Sequence, residues 1–440
     1  MPYPRQPGNF CHYQRKQRGA ALMVMLVILV MGTAAFLVSS LSSSALQIGR
    51  DKITDDALAQ AKEALIGYAA SVKFTGGAER PGDLPCPDTN NDGIAETSCG
   101  NASGSTGQNL RLGRLPWKTL GLPDLRDGSG ERLWYAVSNN FKKSTRIAIL
   151  NSDTPGTITV RRSDGNIIND ASLGNGVAAV IIAPGDVLKR TDQSTPQDRS
   201  SAGINNLQNY LDTALGEDNA NFTDGSATDG FIQGKIKDNN GNLILNDQLL
   251  VITQDSIMQS MQKRVAVEVK QCLSDYAAQG QNNGRYPWAA KLNGSAAPSY
   301  VDVSGTLFGR LPDTFADTVA DSGGGMKDGW TTLCNMNLGS WWSNWKEMVF
   351  YGLADAYKPV NPPSTPTTCP TCLTVSPPSA TADKKFVVIV AGKKLTGQTR
   401  SSNADKGTLN NYLEAPNSGG ATPFAQGASS ASFNDTVVFQ

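Results

Sequence analysis

Between Cys86 and Cys99 the chain reads Asp88-Thr89-Asn90-Asn91-Asp92-Gly93-Ile94-Ala95-Glu96, with oxygen-bearing side chains at alternate positions and a glycine after the third. Hard cations take roughly six to eight oxygen ligands, and this pattern suits calcium: Asp88, Asn90 and Asp92 through their side chains, Ile94 through its carbonyl, and Glu96. The twelfth position, where an EF-hand loop has its bidentate glutamate, is Cys99 instead. A metal-free polar turn closed by a disulfide is the competing reading. No other cofactor is implied.

Of the seven cysteines, Cys11 lies in a basic N-terminal stretch. The other six form an even set, and on an oxidising side of a membrane three disulfides are expected. Cys86 and Cys99 bracket one loop, Cys369 and Cys372 are near neighbours, and Cys272 and Cys334 pair by elimination. A redox or zinc role for the Cys369–Cys372 pair is the alternative. Against it stands a proline-rich setting that cannot begin the helix that lowers a thiol pKa. Trp330, Trp341, Trp342 and Trp345 crowd into one stretch. Exposed, they would stack on sugars or dock a partner; buried, they would pack a core.

The one histidine, His12, sits in the same basic stretch. If that stretch is removed, no serine–histidine or cysteine–histidine pair remains and the commonest transition-metal ligand is gone. Carboxylate-pair hydrolysis survives this exclusion, but no pair stands out, so an enzyme is not expected. The balance of 39 basic and 39 acidic residues becomes 35 against 39 without Arg5, Arg15, Lys16 and Arg18. A mildly acidic remainder has no long-range attraction for phosphate backbones, and no nucleic-acid partner is expected.

These groups must be positioned by the elements around them. At 440 residues the chain exceeds what one core usually serves. Residues 20–38 are nearly all apolar and follow the basic cluster, which predicts a transmembrane segment over 20–50 with the N-terminus held inside. Beyond it, Ala57, Leu58, Ala61, Leu65, Tyr68 and Ala69 recur at helical steps, so the span is expected to continue as one helix to about Phe74. The basic cluster and the apolar run together read as an ordinary anchor, a secretory signal cut near the serine-rich segment, or a leader cut after Gly19.

The junction Gln17-Arg18-Gly19 followed by Ala20 and Ala21 resembles the prepilin peptidase site, where cleavage after glycine leaves the apolar segment in place. Residues 80–88, 113–127 and 130–141 are also similar to segments of pilin-like and type II secretion pseudopilin heads. The resemblance implies a leader over 1–19, processing between Gly19 and Ala20, and a single-pass inner-membrane protein with a periplasmic head. A filament tip outside the cell is the other location it allows. Its implied partners are other pilin or pseudopilin subunits, the inner membrane and prepilin peptidase. Val24 occupies the fifth mature position, where the family usually holds a glutamate that pairs with a neighbour's ammonium. Lacking it, the chain is expected to be a low-copy tip or priming subunit of a type IV pilus or type II secretion filament. An adhesin displayed by the same helix is the alternative.

The two halves also echo each other in order. Gly113-Arg114-Leu115-Pro116 recurs as Gly309-Arg310-Leu311-Pro312, and Glu131 to Phe141 lines up with Glu347 to Tyr357. Asn209-Tyr210-Leu211-Asp212 answers Asn411-Tyr412-Leu413-Glu414, and Asn246-Asp247 answers Asn434-Asp435. The second half opens on a helical stripe, Ile257, Met261, Val265, Val269, Cys272 and Tyr276, with Asp255 as the expected N-cap. The expected fold is α+β: a long N-terminal transmembrane helix, then two tandem pilin-like modules with antiparallel sheets, over 51–254 and 255–440.

Overall fold

The computed structural model describes residues 18–71, 80–100, 110–144, 149–292, 300–315, 341–360, 364–366 and 368–440. Cys11, His12, Trp330 and Cys334 lie outside them. The chain divides into two compact units, Met1–Ile53 and Thr54–Gln440. That boundary falls within helix α1, Arg18–Ser71.

The expected transmembrane helix, and with it the single-pass inner-membrane location, is corrected. Among the described residues no helix is long and apolar enough to cross a membrane. Met25, Leu26, Ile28, Leu29, Val30 and Met31 of α1 are exposed. Gln47, Arg50, Asp51 and Lys52 follow on the same helix. The architecture is mixed α/β and rich in short strands.

In the larger unit α1 buries Ala57, Leu58, Ala61, Leu65 and Ala69, the stripe its three- and four-residue spacing implies. Against it lies a four-stranded antiparallel sheet in the order Leu112–Arg114, Trp134–Val137, Ala179–Ala183, Gln248–Ile252. Its two central strands are buried throughout, because both faces are covered. Tyr135, Val137 and Ile181 join the core of α1, while Trp134, Val180 and Ile182 pack with Tyr210, Phe222 and Phe231 on the other side. Strands covered twice read as continuous apolar runs without polar alternation.

The arrangement recurs in the second half. Helix α2, Gln254–Ala278, packs on a sheet in the order Phe308–Arg310, Val349–Leu353, Phe386–Val390, Thr436–Phe439. The registers match as well: Gly113 pairs with Tyr135 and Gly309 with Tyr351. The hydroxyl of Tyr135 donates to the Pro85 carbonyl and that of Tyr351 to the Pro287 carbonyl, each at 3.1 Å. The N-cap of α2 is Thr253, whose hydroxyl accepts from the Ser256 amide, so Asp255 lies in the first turn, where its charge meets the helix dipole.

Each half also carries a three-stranded sheet with one parallel pairing, Val160–Arg162 with Phe231–Gln233 and Leu373–Ser376 with Phe424–Ala425. The expectation of purely antiparallel sheets is corrected there. One core joins the halves, running from Ala57 through Tyr135, Met258 and Met261 to Trp345 and Val437.

Candidate functional site

The calcium pattern folds into a turn whose oxygens are already engaged. Asp88 accepts from the amides of Asn90, Asn91 and Gly93 at 3.1, 2.6 and 2.7 Å. Asn90 accepts from the Asp92 amide, Asp92 from the amide of exposed Ile94, and Glu96 from Thr89. Burial raises the pKa of Asp88 against the lowering effect of the Gly93 and Asn91 amides, and Lys118 donates to the Asp92 carbonyl. Among the described residues no three His, Cys, Asp or Glu side chains are grouped to hold a metal.

Cys86 bonds Cys99 and Cys369 bonds Cys372. Cys272 is free and buried, and Cys334, its expected partner, is outside the described residues. The Cys86–Cys99 bridge closes a loop with a sequence separation of 13, so replacing both cysteines by serine should cost about 3 kcal/mol. Chemical denaturation measures this, and an unchanged midpoint would contradict it.

Trp341, Trp342 and Trp345 are buried, as the core-packing reading of the cluster requires and the binding reading does not. A short helix, Trp342–Trp345, turns two of the rings inward, and Trp342 donates from its indole to Asp313 at 3.0 Å.

The structure instead gathers a group that the sequence scatters. A cavity of about 280 Å³ is lined by Arg114, Arg126, Arg132 and Arg199 together with Asn91, Glu131, Ile204 and Tyr210. Arg114, at the end of its strand, lies over the adjoining rings of Trp134 and Tyr210, 4.6 Å from each centroid, and donates to the Ile204 carbonyl at 2.6 Å. Burial lowers its pKa from the ordinary value. Arg126 and Arg132 face each other across a turn that Asp127 closes by accepting from Ser129 and Glu131. Both bind Asp124, Arg132 with two bonds at 2.8 and 3.0 Å and Arg126 with one at 2.8 Å. Burial would raise the Asp124 pKa, but these hydrogen bonds and charges hold it below its ordinary value. Arg132 also donates to the Asn91 side chain at 2.6 Å, which fixes the disulfide-closed loop as one wall.

Arg199 lies over Tyr210 at 5.0 Å and donates to the carbonyls of Asn209 and Gly185 and to Gln197. Its nearest carboxylate is Glu131 at 3.5 Å. Behind it Gln197 donates to Asp212, the Asp212 amide donates to Asp247, and Asn219 donates to the same Asp247 oxygen.

The second half repeats this network. Arg400 lies 4.5 Å from the Tyr412 centroid and donates to Asn411, Gly392 and Gln398. Gln398 donates to Glu414, the Glu414 amide to Asp435, and Asn417 to Asp435. Arg310 stands over Phe350 and Tyr412 as Arg114 does over Trp134 and Tyr210. One partner differs: Arg400 holds Asp153 at 3.0 and 3.1 Å, and the Lys394 amide donates to the same carboxylate.

Sequence reading missed Arg199 and the convergence of the other three arginines. A signal for the first was present, because Gln197-Asp198-Arg199-Ser200 is echoed by Gln398-Thr399-Arg400-Ser401. No protein-family model, curated protein or solved structure matches the chain.

Proposed function

We propose that the chain is a structural subunit of a helix-built assembly: a pilin-like minor subunit, of the type IV pilus or type II secretion kind, that stands at one end of a filament. The observation that carries this reading is the surface of α1. Met25, Leu26, Ile28, Leu29, Val30 and Met31 are each more than half exposed, as are Leu46, Ile48 and Ile53. Full burial of a large apolar side chain is worth about 1.5–3 kcal/mol, a gain that neighbouring helices would provide. Helices that pack on one another suffice for this, with no membrane span.

Two features of the head support a role without turnover. The acidic pairs Asp212–Asp247 and Glu414–Asp435 accept from backbone amides, and they occur once in each half, as braces would. Val24 supplies no acid to pair with a neighbour's amino terminus, and a double head is bulky within a packed shaft. Both favour an end position. Processing between Gly19 and Ala20 belongs to the same reading.

Gold-labelled antibodies against the head, applied to sheared filaments, should mark one end. Gold spaced along the shaft would overturn the end position. Filaments without gold, from cells that contain the chain, would overturn the subunit reading. An adhesin is the second reading, favoured by the arginine-lined cavity. Glycan binding by the purified chain would speak for it.

A further inference from the structure

The cavity on the first half has a counterpart on the second, and the pair shows what each is built to hold. The second cavity, about 290 Å³, is lined in part by Glu347, Met348, Arg400 and Tyr412. In the repeat these answer Glu131, Arg132, Arg199 and Tyr210, which line the first. The rest of the second cavity's wall includes Asn151, Asp153 and Thr154, a loop of the first half.

That loop is held closely. The Leu150 amide donates to the Asn344 side chain and Asn151 donates to the Asn344 carbonyl, both at 2.9 Å. Ser152 donates to the Ala391 carbonyl at 2.9 Å and accepts from Gln262 at 3.1 Å. At its tip the Asp153 carboxylate is bound by Arg400, whose side chain is 4% exposed. The second cavity is therefore a receptor for an aspartate-tipped loop, and the chain supplies that loop itself.

The first cavity has the same floor and more positive charge. Met348 is replaced by Arg132, and Arg126 is added, its side chain 48% exposed. Four guanidinium groups there meet two carboxylates, Asp124 and Glu131. In the second half three corresponding cations, Arg310, Arg400 and Lys406, meet two carboxylates, Asp153 and Glu347, a smaller surplus. A surplus of guanidinium groups beside a partly buried arginine favours a carboxylate held by paired, charge-assisted hydrogen bonds.

We infer that the cavity of the first half is a docking site for an aspartate- or glutamate-tipped loop of a different partner protein, in the manner in which Asp153 docks on Arg400. Asp153 of a second copy is not the occupant, because it is bound to its own Arg400. The inference deepens the proposed structural role and rests on it for the nature of the partner. The chemistry of the cavity can be tested apart from any filament.

The test uses the purified full chain and a disulfide-cyclised peptide carrying the sequence of residues 149–155, titrated by calorimetry at low salt. Saturable binding below about 1 mM is expected, weakened at least tenfold when the peptide's aspartate is replaced by asparagine. It should also weaken at least fivefold in the Arg132→Met chain and in the Arg126→Gln chain. Arg126→Gln changes a half-exposed side chain and keeps the test valid if Arg132→Met fails to fold. Equal binding of the two peptides, no effect of either arginine change, or no binding of the aspartate peptide would overturn the inference. Free aspartate binding as tightly as the peptide would also overturn it, in favour of a small-molecule site. Failure of the gold-labelling result with success here would remove the filament and leave the docking site.

Discussion

Replacing Trp342 with alanine should destabilise the fold by about 3–5 kcal/mol, read as a fall in the chemical denaturation midpoint. The ring is fully buried, its centroid is 5.5 Å from that of Trp341 at an interplanar angle of 76°, and its indole nitrogen donates to Asp313. Truncation opens a cavity and takes a hydrogen-bond donor from a carboxyl that is 4% exposed, and both effects have the same sign. Trp342→Phe should recover much of the packing and none of the hydrogen bond. A surface ring used for binding would behave in the opposite way, with stability unchanged and ligand affinity lost. Stability unchanged in Trp342→Ala would therefore restore the binding reading of the tryptophan cluster.

The second large effect concerns pH. Burial, then repulsion from Asp212, holds the Asp247 carboxyl well above its ordinary pKa, and burial, then repulsion from Glu414, does the same to Asp435. Asp212 itself is pushed up to about 6, chiefly by burial, against the Asn246 amide and the charges of Arg199 and Arg190. A carboxyl whose folded pKa lies above its unfolded value holds a proton that the unfolded chain releases. The stability it contributes is complete below about pH 4 and is lost as pH rises through about 6 and beyond. Asp124 and Asp192, held low by arginine partners, have the opposite sign, but their window lies below about pH 4.

Thermal unfolding temperatures should accordingly fall between pH 5 and pH 8. Asp247→Asn combined with Asp435→Asn should flatten that slope and raise stability at pH 8 by on the order of 2 kcal/mol. The free oxygen of each acid, Oδ1, accepts no hydrogen bond, so an amide can be placed there without displacing the bonds made by Oδ2. A slope rising from pH 5 to pH 8, unchanged in the double variant, would count against the protonated pairs.

Self-comparison of the sequence reached further into the fold than any single motif did. The echoes at Asn209 to Asp212 and at Asn246-Asp247 mark the residues that meet in the buried acid networks, and those at Glu131 and Gly113 mark paired strands. Sequence order could not show that Asp212 and Asp247 meet, because that contact depends on a chain reversal between them. The buried stripes of α1 and α2 were legible because helical periodicity is local. The membrane span was not a sound reading: an apolar run shows that a segment avoids water, but not what covers it. The calcium pattern is ambiguous for a related reason. Alternating oxygens serve a turn's own amides as well as they serve a cation, and only geometry separates the two uses. The arginine-lined cavity was hidden because its charges come from four separate places in a chain whose total charge is balanced.

The core that passes unbroken from α1 through α2 into the second sheet has a mechanical meaning. Two beads on a string yield one after the other under tension, with a slack joint between them. Here the strap from Leu150 to Asp153 is tied at four successive residues to the opposite half, and α2 is wedged against both. A load that enters one half is thereby shared with the other through these ties and the common core.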